Sequence, residues 1–303
     1  MCVMKKVIFD CDNTMGIKNR DIDDGLALLY LINNLDVELK GVTCTYGNDR
    51  LDKVFTQTVK LIDDLSLEIP VFKGNGNYDM IDYVKCEFKT EETKNYLDND
   101  AAKFIVEMVN RYPNEISILA TGSLQNLYDA WQIDKSIVEK IKEVVVMGGI
   151  TEPLYFNNKV MNELNFSVCS RAAECVINEF KNLSILTGNS CMEIEFTQSD
   201  LKEIENIGEF KNKFVFEKLC VWMDEFKEMY GYDSIVLWDV IAAIYLTDSD
   251  LFKDNTTYIN STLEDLNTGK LVLVDNSLGI KINIPSAKNS SQVNKKLIEV
   301  VFK

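Results

Sequence analysis

Between Val7 and Ile32 the sequence reads VIFDCDNTMGIKNRDIDDGLALLYLI, a short apolar run followed by aspartates at 10, 12, 21, 23 and 24 and then by a helical apolar pattern. Two chemistries use acids arranged in this way. The string Asp10-Cys11-Asp12-Asn13-Thr14 after an apolar strand has the form of a loop whose first aspartate attacks a phosphoryl group. Acids on a strand end and on the start of the next helix, Asp12 with Asp23 and Asp24, equally suit a hard cation that takes oxygen ligands. A plainer role competes with both, because carboxylates at 21, 23 and 24 could simply cap the helix that runs into GLALLYLI.

A sixth acid lies far away in the chain. Asp239 interrupts the run from Ile235 to Ile244, apolar nearly all round, which predicts a buried helix. A buried carboxylate is costly unless it is paired or holds a metal, so Asp239 favours the cation reading. Histidine is absent from all 303 residues, which excludes Ser-His-Asp and Cys-His catalysis, His-liganded metals and imidazole acids together. Eight cysteines stand at 2, 11, 44, 86, 169, 175, 191 and 220 without a CxxC pair, and are expected as reduced thiols that pack like small hydrophobes.

The elements that must position these acids are legible as an alternation. Strand-like MKKVIFD, VELKGVTCT, EISILAT, EVVVMGG and LSILTG alternate with helical patterns at IDDGLALLYLINN, DRLDKVFTQTVKLIDDL, SLQNLYDAW and SRAAECVINEF. Such alternation predicts an α/β fold, a mainly parallel sheet flanked by helices, in a single domain. The stretch from about 197 to 246 reads as a mostly helical insertion, and LVLVD and GIKINI as late strands. In such sheets ligands bind outside the carboxyl ends of the strands. Asp10 and Asp12, Thr45 to Asn48, Thr121-Gly122 and Gly148-Gly149 all follow strands and gather on that edge.

Composition narrows the partners. A formal charge of −16 opposes nucleic-acid binding, which works by displacing counterions with Lys and Arg, and suits a small, weakly charged substrate. No apolar run reaches the ~18 residues a spanning helix needs, and MCVMKKVIFD reads as neither signal peptide nor anchor. A soluble cytoplasmic protein with no membrane partner is expected.

With these residues in view the chain resembles the inosine-uridine-preferring nucleoside hydrolases over essentially its whole length. The family's DxDPGxDDA is similar to DCDNTMGIKNRDIDDG, its TTxxGN to TCTYGN at Thr43 to Asn48, and its TGPLTN to TGSLQN at Thr121 to Asn126. Its MGG is Met147-Gly148-Gly149, its AEFN resembles NELN at Asn162 to Asn165, and its HDP resembles Trp238-Asp239-Val240. Each string alone is weak, but together they follow the family's order.

The resemblance implies a Rossmann-like nucleoside hydrolase fold and Ca²⁺-dependent hydrolysis of the N-glycosidic bond of ribonucleosides to ribose and free base. It implies that Asp12, Asp24, Asp239 and the backbone carbonyl of Thr121 hold Ca²⁺, with Asp12 also the base that activates a metal-bound water. Asp23, Asn48, Asn157, Glu163 and Asn165 would contact the sugar; Asn157 is placed only by its distance before Glu163, with Asn158 as the alternative. A homo-oligomer, dimer or tetramer, is implied as well.

Two departures stand out. Seven more residues separate Asp12 from Asp23-Asp24 than in the family string, and its Pro-Gly is missing. Trp238 stands where many relatives carry histidine, so it either stacks on the leaving base or fills the core. The alternatives to the hydrolase are a haloacid-dehalogenase-like phosphatase using Asp10, and a nucleoside or ribose binder that no longer turns over. The phosphatase is disfavoured, since EVVVMGG ends without an acid and LVLVDNS supplies only Asp275.

Overall fold

The computed structural model describes residues 4–82, 87–91, 95–275 and 278–303. Strands β1 (Lys5–Cys11), β2 (Val37–Cys44), β3 (Val71–Lys73), β4 (Ile116–Ala120), β5 (Glu143–Met147), β6 (Leu183–Leu186), β7 (Thr256–Ile259) and β8 (Ile280–Asn283) form one eight-stranded sheet. Its order is β7-β8-β6-β5-β4-β1-β2-β3, parallel throughout except for β7 against β8. After β3 the chain crosses back to pair β4 with β1, so the order reverses between these two strands. A reversal of this kind opens a crevice at the carboxyl ends, where α/β folds place their ligands.

Side-chain alternation explains why helices cover both faces. Along β1, Val7, Phe9 and Cys11 join one apolar cluster and Ile8 joins the other, as a period of two requires. The first cluster takes in α1 (Asp23–Asn33), α7 (Lys213–Tyr230), α8 (Trp238–Thr247) and α9 (Ser290–Phe302); the second takes in α3 (Asp100–Arg111), α4 (Gln125–Ile133) and α5 (Ser170–Glu179). Helix α2 (Leu51–Asp64) follows β2, and α6 (Gln198–Glu205) precedes α7.

Two local expectations are corrected. The apolar run at 235 does not begin a helix: Ile235–Val236 pairs antiparallel with Glu195–Phe196, and α8 starts only at Trp238. The β-branched pair takes the extended form because a partner edge is available, which moves Trp238 and Asp239 to the first turn of a helix. LVLVD is not a strand either. It makes one bridge, Leu273 to Ile259, on the outer edge of β7, with Asn260 N–H on the Val272 carbonyl and Val274 N–H on the Tyr258 carbonyl, both at 2.9 Å. Six cysteines, at 11, 44, 169, 175, 191 and 220, are free thiols, while Cys2 and Cys86 lie outside the described residues. No described helix is long and apolar enough to cross a membrane.

Candidate active site

The acids converge where the strand order reverses. Asp12 follows β1 directly, fully buried, and its Oδ2 accepts the backbone N–H of Asn48 at 2.6 Å. The Asn48 amide donates to Asp12 Oδ1 at 3.1 Å and reaches Asp24 Oδ2 at 3.5 Å. Asp24 Oδ1 accepts the Thr121 hydroxyl at 2.6 Å, and Asp23 Oδ2 accepts the backbone N–H of Asp239 at 3.3 Å. Carboxylate oxygens of Asp23, Asp24 and Asp239 all lie within 4.8 Å of one another. The loop after β2 can come this close only with glycine at 47, where a Cβ would stand 1.8 Å from Asp12 Oδ2.

Helix capping does not account for Asp24, although Asp23 serves two helix-start N–H groups, that of Asp24 at 3.1 Å and that of Asp239. The N-cap of α1 is Ile22, which makes no side-chain cap bond; Asp21 turns its Oδ1 to the backbone N–H groups of Ile22 and Asp23, at 2.6 and 3.1 Å. Asp24 instead spends its carboxylate on Thr121 and the neighbourhood of Asp12. The insertion between Asp12 and Asp21 folds out and returns, held by the Thr14 hydroxyl on the Asp21 carbonyl at 2.8 Å.

Electrostatically the cluster is strained by its own charge. Burial pushes the Asp12 carboxyl up to about 7 against the pull of hydrogen bonds from Asp24 and the Asn48 backbone. Burial, then the charge of Asp12, pushes Asp24 well above the ordinary range; burial, then Asp23, does the same to Asp239. Asp23 is raised as well, by burial first. Packing four acids together out of water is unfavourable unless positive charge offsets them, and the donor set is all oxygen. That set fits a hard divalent cation, with Asp23, Asp24 and Asp239 as the group close enough to share one and Asp12 adjoining through Asp24.

Asp10 behaves differently. Fully buried, it directs Oδ1 to the Thr43 hydroxyl at 2.6 Å and the Asn126 amide at 2.7 Å, while Oδ2 has no partner. Neither Asp10 nor Asp12 lines the cavity beside the acids, but Asp12 is bonded to the lining residue Asn48 whereas the Asp10 side chain bonds Thr43 and Asn126, which do not line it, so the attacking role of a phosphatase has no support here.

That cavity measures about 920 Å³. Asp21, Asp23, Asp239, Asn48 and Thr121 form its acidic end, and Asp12 and Asp24 stand behind Asn48 and Thr121. Glu163 and Asn165 also line it. Asn165 donates to the Thr121 carbonyl at 2.8 Å and to the Met147 carbonyl at 3.0 Å, so it orients the carbonyl expected to be a ligand. Glu163 accepts three backbone N–H groups, from Gly149 and Phe166 on Oε1 and Ser167 on Oε2, at 2.8 to 3.0 Å. Burial still raises its carboxyl, partly offset by those bonds.

Trp238 is 7 % exposed: it packs edge-on to Phe156, ring centroids 6.1 Å apart, as a core residue would, and it is also among the residues that line the cavity. Asn157 is a correction. It sits exposed at the turn of the hairpin formed by Leu154–Phe156 and Lys159–Met161, with φ +53°, and its amide donates to the carbonyls of Tyr230 and Gly231 at 3.2 and 2.7 Å. It does not line the cavity, because the turn geometry directs its side chain to the end of α7; Asn158 is exposed at the same turn. The residue that reaches the cavity is Asn162, inside the NELN string.

The far wall was not foreseen. Trp222, Phe226, Met229 and Tyr230 of α7 line it, with Lys159 and Val160 of the hairpin. Their i, i+4, i+7, i+8 spacing is a visible apolar stripe, but a stripe facing a cavity reads the same as one facing the core.

Comparisons with known proteins show the family and the fold. Residues 7–301 match the inosine-uridine preferring nucleoside hydrolase family. An inosine-uridine preferring nucleoside hydrolase of Leishmania major is 26% identical over 293 residues, covering 89% of this chain and 88% of that one. A probable uridine nucleosidase 2 of Oryza sativa subsp. japonica is 27% identical over 265 residues, 82% of this chain and 75% of that protein. Among solved structures, a purine-preferring ribonucleoside hydrolase from Gardnerella vaginalis superposes with a TM-score of 0.80 at 18% identity, covering 98% of each chain. With the family's strings gathered around one cavity and the match running nearly end to end, the chain belongs to the inosine-uridine preferring nucleoside hydrolase family and is an N-glycosidase.

Proposed function

We propose that the protein uses a divalent cation, Ca²⁺, to hydrolyse the N-glycosidic bond of ribonucleosides, with Asp12 as general base. Asp12, Asp24, Asp239 and the Thr121 carbonyl would hold the cation, Asp23 lies close enough to share it, and Asn48, Glu163 and Asn165 would meet the sugar. A bound cation supplies a Lewis acid for water and sugar hydroxyls and offsets the charge of the cluster. Asp12 takes the proton of the attacking water as oxygen bonds to C1′, and the C1′–N electron pair leaves with the base. The surrounding carboxylates stabilise the positive charge that develops on the sugar ring. Asn48 orients Asp12 through two hydrogen bonds, and Trp238 offers a face to the base.

The observation that carries this reading is the buried acid group at the strand reversal, which has no ion pair among the described residues, whose Asp24 serves no helix cap, and which adjoins a cavity. In this reading the enzyme works in the cytoplasm as a homo-oligomer. The test is a panel of ribonucleosides assayed for free base and reducing sugar, with and without a chelator, beside elemental analysis. Full activity of metal-free protein, or phosphate release from monoesters without base release, would overturn it.

A further inference from the structure

Cleavage leaves electrons on the base, and a chain without histidine must meet that negative charge in another way. Among the described residues, those lining the cavity include carboxylates from Asp21, Asp23, Glu163 and Asp239, and one cationic side chain, Lys159. Lys159 belongs to the hairpin strand Lys159–Met161, and its ammonium donates to the carbonyl of Met229 in the last turn of α7. Met229, with Phe226 and Tyr230 of the same helix, lines the cavity too, so the ammonium is anchored on the aromatic wall. The hairpin is fixed there a second time by Asn157 on the carbonyls of Tyr230 and Gly231.

We infer that Lys159 is the group that meets the departing base. This rests on the hydrolase reading and adds the missing half of its proton balance. Water gives its oxygen to C1′ and one proton to Asp12. The C1′–N bond breaks, and its electron pair goes to the base nitrogen. Lys159 donates an N–H to the base, as a hydrogen bond to the forming anion or as a full proton transfer. The neutral amine then recovers a proton from solvent, which its exposed position allows, and Asp12 releases its own. The ammonium has donors to spare: one of its three N–H groups serves Met229, leaving two for a ligand. A positioned acid of this kind is worth about a hundredfold or more in rate.

The experiment compares Lys159→Met and Lys159→Arg on inosine, uridine and 4-nitrophenyl riboside, with Asp12→Asn alongside. The nitrophenyl group leaves with little need of a proton. The expected result is that Lys159→Met lowers kcat on both nucleosides by about tenfold to a hundredfold, spares the nitrophenyl riboside, and is partly rescued by arginine. Equal loss on all three substrates, or no loss on any, overturns the role of Lys159 while leaving the hydrolase reading intact. Asp12→Asn separates the two questions, since it must stop all three substrates if the hydrolase reading holds. Wild-type protein that releases neither base nor nitrophenol removes both.

Discussion

The two ends of the cavity are built by different means. Its acidic end draws on the ends of β1, β2 and β4 and the first turns of α1 and α8, and Asp12, Asp23, Asp24 and Asp239 are all buried, held by neighbours from other elements. Its aromatic end is one helix, α7, and one hairpin, joined where Asn157 and Lys159 meet the carbonyls that end the helix. One described bond crosses between the two regions through the insertion: Asn19 N–H on Glu225 of α7, at 3.0 Å. On the proposed reading the contrast separates the attack on the sugar from the handling of the base. Acids set by the sheet keep their geometry when the far wall changes, whereas helix and hairpin can be recut for another base without moving a strand.

The largest effect should come from the acidic end. Asp12→Asn is expected to lower kcat by about a hundredfold to ten-thousandfold, with no fall in the thermal midpoint of metal-free protein, because a carboxyl that burial penalises is removed. Turnover within tenfold of wild type would take the base role from Asp12.

Next in size is a linkage between pH and metal. The folded carboxyls of Asp12, Asp23, Asp24 and Asp239 all lie above the ordinary value of 3.8, that of Asp12 at about 7. Groups raised on folding contribute full stability below the unfolded value and lose it as pH rises through the folded one. Metal-free protein should therefore melt at a lower temperature at pH 8 than at pH 5, and added Ca²⁺ should raise the midpoint more at pH 8. Calorimetry with and without chelator reads both; a Ca²⁺ effect that is the same at the two pH values would contradict the cluster as the cation site.

How much of this was legible in the sequence follows the same divide. The strand-end acids and the parallel alternation are local signals, and local signals survive without coordinates. Asp239 was legible as a misfit in an apolar run, although its helix begins three residues later than the pattern suggested. That a carboxylate oxygen of Asp23 lies within 4.8 Å of one on Asp239, as of one on its neighbour Asp24, was not readable, since it depends on how α8 docks against α1. The aromatic wall was hidden for the reason any cavity-facing stripe is hidden. Asn157 misled because residues were counted across a hairpin, where the turn decides which side chain faces in.

Trp238 tests the boundary between the two ends. Trp238→Ala should cost about 3–5 kcal/mol in stability, as a large buried ring is lost, and should impair purine nucleosides more than 4-nitrophenyl riboside. Trp238→Phe should be much milder. It keeps a ring against Phe156 and deletes an indole N–H that is buried without an acceptor, an omission that itself costs about 1–3 kcal/mol. Equal damage to every substrate in both variants, in step with the melting temperature, would make the ring structural only.

The smallest effect expected is at Asn157, and it sharpens the contrast because the two accounts of this residue differ in kind. As a sugar contact, its loss would raise KM for every riboside, including the nitrophenyl one, and leave stability alone. As the clamp on the end of α7, its loss removes two hydrogen bonds to carbonyls that the helix itself cannot satisfy. Alanine adds strain, because the backbone at 157 stands at φ +53°. Asn157→Ala should then cost about 1–2 kcal/mol in stability, with KM for the nitrophenyl riboside changed less than about twofold, about 0.4 kcal/mol of binding. Asn157→Gly isolates the cause: it relieves the strain but still lacks the amide, so its melting temperature should fall between alanine and wild type. If both variants instead melt like wild type and lose riboside affinity together, the side chain turns inward when substrate binds and the clamp is not its role.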